Sequence, residues 1–191
     1  MRKLILLKLT NDDIQRIRQQ DERYLEVLYR DTFPLLMSIA VRYKNNHEEQ
    51  LTAVHNAFLK MIKSIDQFQS SSSFEAWLAK ILRNELIDDF RRTHKKSALQ
   101  YTELTHDLAD PTFDIQDLEN TPSDQLLRML NALPAASKIV FNLYAMDDYS
   151  IKQISEMLDI TSDTVKWHLK TARKKLRASI SNLKIQDNEI E

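Results

Sequence analysis

The sequence predicts an all-α protein of two small helical domains, an N-terminal helical bundle and a C-terminal helix-turn-helix, joined by a flexible acidic linker. None of the 191 residues is glycine, whereas the tight turns of β-hairpins depend on residues that tolerate positive φ. Helix formers dominate instead, and apolar residues recur at spacings of three and four. A stretch without Lys or Arg, residues 97–127, separates two helical halves.

The first half begins with three predicted helices. Thr10 is placed to cap the first helix, and a second amphipathic helix follows it. Pro34 fits the first turn of a third, because proline lacks an N–H that this turn does not use. Asn45 and Asn46 are expected to end that helix in the left-handed conformation, which asparagine tolerates.

The next two helices flank a polar loop. One helix is predicted over about 48–65, and a serine-rich loop bounded by Phe68 and Phe74 follows. Ser72 and Glu75 have the spacing of a capping box, which predicts a helix over about 73–92. We close the first domain at residue 96, and assign residues 97–120 to the linker because of their acidic, aperiodic composition.

The second half is predicted over residues 121–183, with 184–191 as a flexible tail. Thr121 and Pro122 predict a helix start as N-cap and first helical residue, and Pro134 predicts another. The stretch Ser150–Arg177 reads as two helices with a short break, in which Asp159 takes the left-handed conformation. Apolar residues of the second of these helices form one stripe, and basic residues cover the opposite side. The stripe is Val165, Leu169, Ala172 and Leu176; the basic residues are Lys166, Lys170, Arg173, Lys174 and Arg177.

A short helix, a tight turn and a basic helix are typical of the helix-turn-helix that lays its second helix in the DNA major groove. An ordinary helical hairpin is the alternative. Trp167 is read either as a base contact or as half-buried packing. We interpret Phe74 and Trp77 as core residues in preference to base-stacking residues. The basic run at 91–96 is compatible with either a solvent-exposed face or a site for single-stranded DNA.

Catalytic, metal and cofactor chemistry find no support in the sequence. The chain has no cysteine, its histidines lack metal-ligand spacing, and no glycine-rich phosphate loop is possible. Asp88 and Asp89 point about 100° apart on a helix, so they do not form a catalytic pair. The apolar run at the N-terminus falls far short of the about 20 residues of a membrane span. We expect a cytoplasmic protein that is not an enzyme, has no cofactor and does not insert into membranes.

Three segments together resemble a known family. WLAKILRNELIDDFRR (77–92) is similar to the promoter-melting signature of extracytoplasmic-function (ECF) sigma factors, and LTAVHNAFLKMIKSIDQF (51–68) resembles their polymerase-binding helix. Residues 133–177 resemble the domain that binds the minus-thirty-five element, a motif shared with response-regulator output domains. A dimeric regulator of that type is the nearest rival, and an all-helical interaction module is the second. The dimeric regulator would explain only residues 134–177.

The resemblance implies a protein that binds core RNA polymerase, through the beta-prime clamp helices and the beta flap, and directs it to promoter DNA, both duplex and melted. An anti-sigma factor is a further candidate partner, since many members of the family have one. Thr52 and His55 depart from the acidic residue and glutamine that the family usually carries. The implied polymerase-binding residues are Thr52, His55, Asn56 and Lys60. The implied minus-ten residues are Phe68, Ser71, Ser72, Lys80, Arg83, Asn84, Asp88, Arg91 and Arg92. The implied minus-thirty-five residues are Ser162, Thr164, Lys166, Trp167, His168, Lys170, Arg173, Lys174 and Arg177.

Overall fold

The predicted all-α fold is confirmed by the computed structural model, which describes residues 9–69, 73–93 and 121–188, with side chains through residue 181. Every regular element within these ranges is helical. The predicted linker and residues Ser71 and Ser72 lie outside the described residues. The helices are α1 (Asn11–Arg18), α2 (Glu22–Tyr43), α3 (His47–Lys63), α4 (Phe74–Thr93), α5 (Ser123–Asn131), α6 (Ala135–Phe141), α7 (Ile151–Leu158) and α8 (Ser162–Asn188).

The chain divides into two compact units, Met1–Asp89 and Phe90–Glu191, so the division falls within α4. The core of the first unit collects buried side chains from α1 to α4. Ile17, Leu36, Val54, Met61 and Leu82 are among its fully buried members. Across the described ranges, no helix combines the length and the apolar character that crossing a membrane requires.

A single helix, α2, replaces the two helices that the sequence predicts on either side of Pro34, so this prediction is wrong. Leu28, Thr32 and Leu36 lie four residues apart and are all buried, so one apolar face continues through the proline. The free energy gained by burying this face exceeds the free energy lost because proline cannot donate a hydrogen bond to the carbonyl of Arg30. The Thr32 hydroxyl donates to the carbonyl of Leu28 at 2.7 Å, within the same turn.

Substitution of Pro34 by Ala is expected to stabilise the first unit by about 1–3 kcal/mol, because it restores a backbone N–H in a helix interior. The proline side chain is exposed, so its removal leaves no cavity. Urea unfolding followed by circular dichroism measures the change. Pro134→Ala is the matched control, since Pro134 precedes α6 and interrupts no helix. A Pro34→Ala variant no more stable than wild type would contradict the expected gain.

The turns replace glycine in ways that the sequence reveals only in part. Asp159 adopts φ 54° and ψ 49° after α7, as predicted, and Asp148 also has positive φ. The left-handed ending predicted at Asn45 and Asn46 is wrong. Lys44 ends α2 in an extended conformation, and the Asn46 side chain caps α3 by accepting from the Glu48 N–H at 2.8 Å. Among the described residues of the first unit, positive φ occurs instead at Gln20, after α1.

In the second unit, α5 begins at Ser123, one residue later than predicted, with Pro122 in the N-cap position. Helix α6 continues into a π-helical turn, Asn142–Met146, that no sequence signal indicates. Helix α8 reaches Asn188, so it extends into the segment predicted to be a flexible tail from residue 184. Leu130, Val140, Ile154 and Val165 are fully buried and join the four helices around one core.

Candidate polymerase and nucleic-acid interfaces

An aromatic cluster supports the start of α4. The Phe74 ring is fully buried, and Phe68 packs edge-on against it with ring centroids 5.6 Å apart. Trp77 is half-buried, and its ring centroid lies 5.3 Å from that of Phe68. The predicted role of Phe68 as a base contact is therefore wrong in this structure, because only 9% of the residue is exposed and its ring fills the cluster. The preference for a core position at Phe74 is confirmed.

Ser73 immediately precedes α4 and caps it, whereas Ser72 of the predicted capping box lies outside the described residues. The Ser73 hydroxyl accepts from the N–H of Ala76 at 3.3 Å and donates to the Glu75 carboxylate at 2.9 Å. Beyond the aromatic cluster, one side of α4 presents polar and basic side chains to solvent. These exposed residues are Lys80, Asn84, Asp88, Arg91 and Arg92, and Arg83 is half-buried beside them. We call this set the α4 polar face.

The residues predicted to bind polymerase lie on one side of α3, which we call the α3 face: Thr52, His55, Asn56, Leu59 and Lys60. The Thr52 hydroxyl donates to the carbonyl of Glu48 at 2.8 Å. The His55 ring lies 5.7 Å from the ring of Tyr29 on α2, and burial raises the pKa of Tyr29. Leu59, which the sequence prediction omitted, is 54% exposed, an unusual position for leucine that favours a contact surface.

Glu85, a buried carboxylate on α4, joins α4 to the α3 face. Its Oε1 atom accepts a hydrogen bond from Asn56 Nδ2 at 3.1 Å, and its Oε2 atom pairs with the Lys60 ammonium. Sequence reasoning missed Glu85. Asn56 and Glu85 are 29 residues apart, so only the packing of α3 on α4 brings them together.

The helix-turn-helix forms at the predicted residues. Ser150 and Gln153 make the predicted capping box: the Gln153 N–H donates to the Ser150 hydroxyl at 3.3 Å, and the Ser150 N–H donates to Gln153 Oε1 at 2.9 Å. Beyond Asp159, the Ser155 hydroxyl donates to the carbonyl of Ile160 at 2.6 Å. Thr161 then caps α8, as its hydroxyl accepts from the N–H of Thr164 at 3.2 Å.

The predicted basic side of α8 is largely open to solvent. Ser162, Lys166, Lys174 and Arg177 are exposed, whereas Trp167, Lys170 and Arg173 are half-buried. We call these seven residues the α8 face. The Arg173 guanidinium lies 5.9 Å from the ring centroid of Tyr144, which the π-helical turn carries. This cation–π geometry orients Arg173 within the α8 face.

Two residues predicted to contact the minus-thirty-five element are buried, so these predictions are wrong. Thr164 is 8% exposed, and its hydroxyl lies 2.8 Å from that of Thr161 in the cap of α8. His168 is 3% exposed, and its Nδ1 atom lies 3.2 Å from the Ser137 hydroxyl on α6. The Trp167 ring packs edge-on against His168, with centroids 4.9 Å apart, and Trp167 stays half-buried.

Within the described parts of the chain, no cluster of acidic, histidine or cysteine side chains has the geometry of a metal site. What these parts contain is a helical unit with a polar helix face and a helix-turn-helix unit with a basic face. A chain that joins these two units has the form of a DNA-binding transcription protein.

Comparisons with known proteins identify the family. Residues 28–96 match Sigma-70 region 2, and residues 123–176 match Sigma-70, region 4. The ECF RNA polymerase sigma factor SigW of Bacillus subtilis is 26% identical over 169 residues, which cover 82% of this chain and 87% of SigW. The ECF RNA polymerase sigma-E factor of Haemophilus influenzae is 24% identical over 179 residues, covering 89% of this chain and 94% of that protein.

A solved structure shares the fold. The sigma factor RpoE of Bartonella quintana, determined in complex with the anti-sigma factor NepR, gives a TM-score of 0.50 at 18% identity. The match covers 85% of this chain and 98% of RpoE. The chain belongs to the sigma-70 family of RNA polymerase sigma factors, in the extracytoplasmic-function group. It acts with core RNA polymerase in promoter-specific transcription initiation.

Proposed function

We propose that the α3 face binds the beta-prime clamp helices of core polymerase. The face combines an exposed leucine with amide, imidazole and ammonium groups, which are suited to an interface with an apolar centre and a polar rim. Leu59 supplies the apolar centre, and Thr52, His55, Asn56 and Lys60 surround it. The Thr52 hydroxyl already donates within α3, so its contribution to binding is as an acceptor and through its methyl group.

The α4 polar face is proposed to hold the minus-ten element after melting. Extruding a base from duplex DNA costs a few kcal/mol, which a shaped pocket and backbone contacts can offset. Lys80, Arg91 and Arg92 are exposed cations suited to phosphates, and Asn84 offers an amide that can donate to or accept from a base edge.

The α8 face is proposed to read the minus-thirty-five duplex. Ser162, Lys166 and Trp167 lie in the first two turns of α8, where a recognition helix contacts base edges. Lys170, Arg173, Lys174 and Arg177 follow and are suited to phosphates. The buried Thr164 and His168 hold α8 on its neighbours instead. Each DNA contact can be weak, because polymerase and both elements hold one DNA molecule at high effective concentration.

The observation that carries this proposal is that one chain joins a region 2 unit with an exposed polar α4 to a region 4 helix-turn-helix with an exposed basic α8. We propose that the two act in the cytoplasm, connected by a linker over residues 97–120. A dimeric regulator of the response-regulator type would use residues 134–177 and leave the first unit without a role. RpoE of Bartonella quintana binds NepR, and an anti-sigma partner for this chain stays a prediction.

Run-off transcription tests the function directly. The purified full-length chain, added to bacterial core polymerase, is expected to produce a specific transcript from a promoter with suitable minus-ten and minus-thirty-five elements. Selection from a library of randomised promoters supplies such a template. The matched control is core polymerase alone. Absence of any selected promoter, with core that is active when given another sigma factor, would overturn the proposal.

A further inference from the structure

The Glu85 carboxylate is held on both sides by residues of the α3 face. Only 7% of Glu85 is exposed, and its two oxygens are divided between the Asn56 amide and the Lys60 ammonium. A buried carboxylate is costly unless it is paired and hydrogen-bonded. Both partners are therefore held in the orientation that satisfies Glu85.

The partners remain available at the surface. The Lys60 side chain is 52% exposed although it pairs with Glu85, and Asn56 is half-buried. Lysine has a long stem with several rotatable bonds, so an unpaired Lys60 would sample many rotamers and lose more entropy on binding a partner. Pairing with Glu85 removes part of this cost before binding.

The carboxylate that pairs with Lys60 does not come from the same stretch of α3. From Leu51 to Lys63, α3 carries no Asp or Glu, while Lys60 and Lys63 are both basic. The anion that neutralises Lys60 comes from the neighbouring helix, α4.

We propose that Glu85 is a positioning residue for the polymerase contact, which acts through Lys60 and Asn56 by holding their side chains in the binding orientation. This inference rests on the proposed location of the polymerase contact on the α3 face. Glu85 also lies beside Asn84 and three residues before Asp88, which belong to the α4 polar face. The same helix therefore orients polymerase-binding side chains and presents the minus-ten residues.

A double-mutant cycle on the full-length protein tests Glu85. The variants are Glu85→Gln, Lys60→Met and the double substitution, and the readout is the Kd for core polymerase from fluorescence anisotropy of the labelled chain. Glu85→Gln keeps an acceptor for Asn56 and removes the charge that pairs with Lys60. We expect it to weaken binding by about tenfold in the wild-type background and by less than about twofold in the Lys60→Met background.

Controls separate positioning from stability. Asp12→Asn removes a carboxylate from an exposed ion pair, Arg16–Asp12, on α1 and is expected to leave the Kd unchanged. Leu82→Ala removes core packing on α4 and is expected to lower the melting midpoint without changing the Kd, measured well below that midpoint. Melting curves of all variants accompany the binding data.

The outcomes are distinct. Equal loss of affinity from Glu85→Gln in both backgrounds, or no loss in the wild-type background, would overturn the positioning role. A Kd that follows the melting midpoint across all variants, including Leu82→Ala, would also overturn it, since stability alone would then explain the effect. Wild-type protein that fails to bind active core polymerase would instead overturn the proposed function.

Discussion

Replacing Lys174 and Arg177 together by Glu is expected to lower the affinity for a minus-thirty-five duplex by on the order of 100-fold at moderate salt. Both side chains are exposed on the α8 face, where cations that neutralise phosphates release counterions from DNA. The slope of log K against log salt should become shallower by about two, one for each phosphate that is no longer neutralised. Anisotropy titrations of a labelled duplex across a salt series measure both quantities.

The control is a second double reversal with the same change in net charge, Arg16→Glu with Arg18→Glu. Both of these arginines are exposed on α1 in the other unit. It should bind the duplex almost as wild type does. Similar losses of affinity from the two double variants would show a general charge effect and remove the α8 face as the contact. Arg173→Glu added as a single variant tests whether Arg173, placed against Tyr144, also reaches a phosphate: an unchanged slope would place it off the DNA.

Local signals in the sequence predicted local features of the fold well. The capping box of Ser150 and Gln153 and the left-handed Asp159 depend on backbone chemistry within a few residues, and both occur as predicted. Thr10 likewise caps α1, as its hydroxyl accepts from the N–H of Asp13 at 3.2 Å. Hydrogen bonds to the Asp13 carboxylate hold its pKa below the ordinary value, although burial acts in the opposite direction.

Predictions failed where a residue type suggested a chemistry that its position opposes. His168 lies three residues after Val165 and four before Ala172, so its spacing places it on the buried stripe of α8. Thr164 lies four residues before His168 on the same side. The spacing therefore contained the signal, and the polar character of the two side chains obscured it. Pro34 shows the same conflict, because the apolar spacing of α2 continues through it.

Features that depend on contacts between helices could not be predicted from the sequence. The burial of Phe68 requires its ring to pack against the rings of Phe74 and Trp77 on α4. The Glu85 contacts require the angle and register between α3 and α4. No periodicity within one helix encodes either arrangement. The sequence therefore predicted the surface residues of the candidate polymerase interface but not the Glu85 carboxylate that lies beneath them.

Substitution of Leu158 by Ala is expected to destabilise the second unit by about 2–5 kcal/mol, because it leaves a cavity at the end of α7, where the tight turn begins. Leu158 is almost fully buried. A domain of this size has a total stability of only about 5–15 kcal/mol, so much of the unit should unfold at moderate temperature. Hydrogen exchange with mass spectrometry should show reduced protection in α6, α7 and α8.

The control for this change is Leu59→Ala, the same substitution at an exposed position, which should alter stability by no more than about 0.5 kcal/mol. If each unit has its own core, the amides of α1 to α3 in Leu158→Ala should keep wild-type protection, since local stability follows cooperative units. Minus-thirty-five binding would then disappear while binding to core polymerase through the α3 face persists. Simultaneous loss of protection in α2 and α7 would show one cooperative unit and refute two separately stable domains. The polymerase contact and the upstream DNA contact are separable only if the units unfold independently, so this experiment also decides whether a substitution in one unit reports on that unit alone.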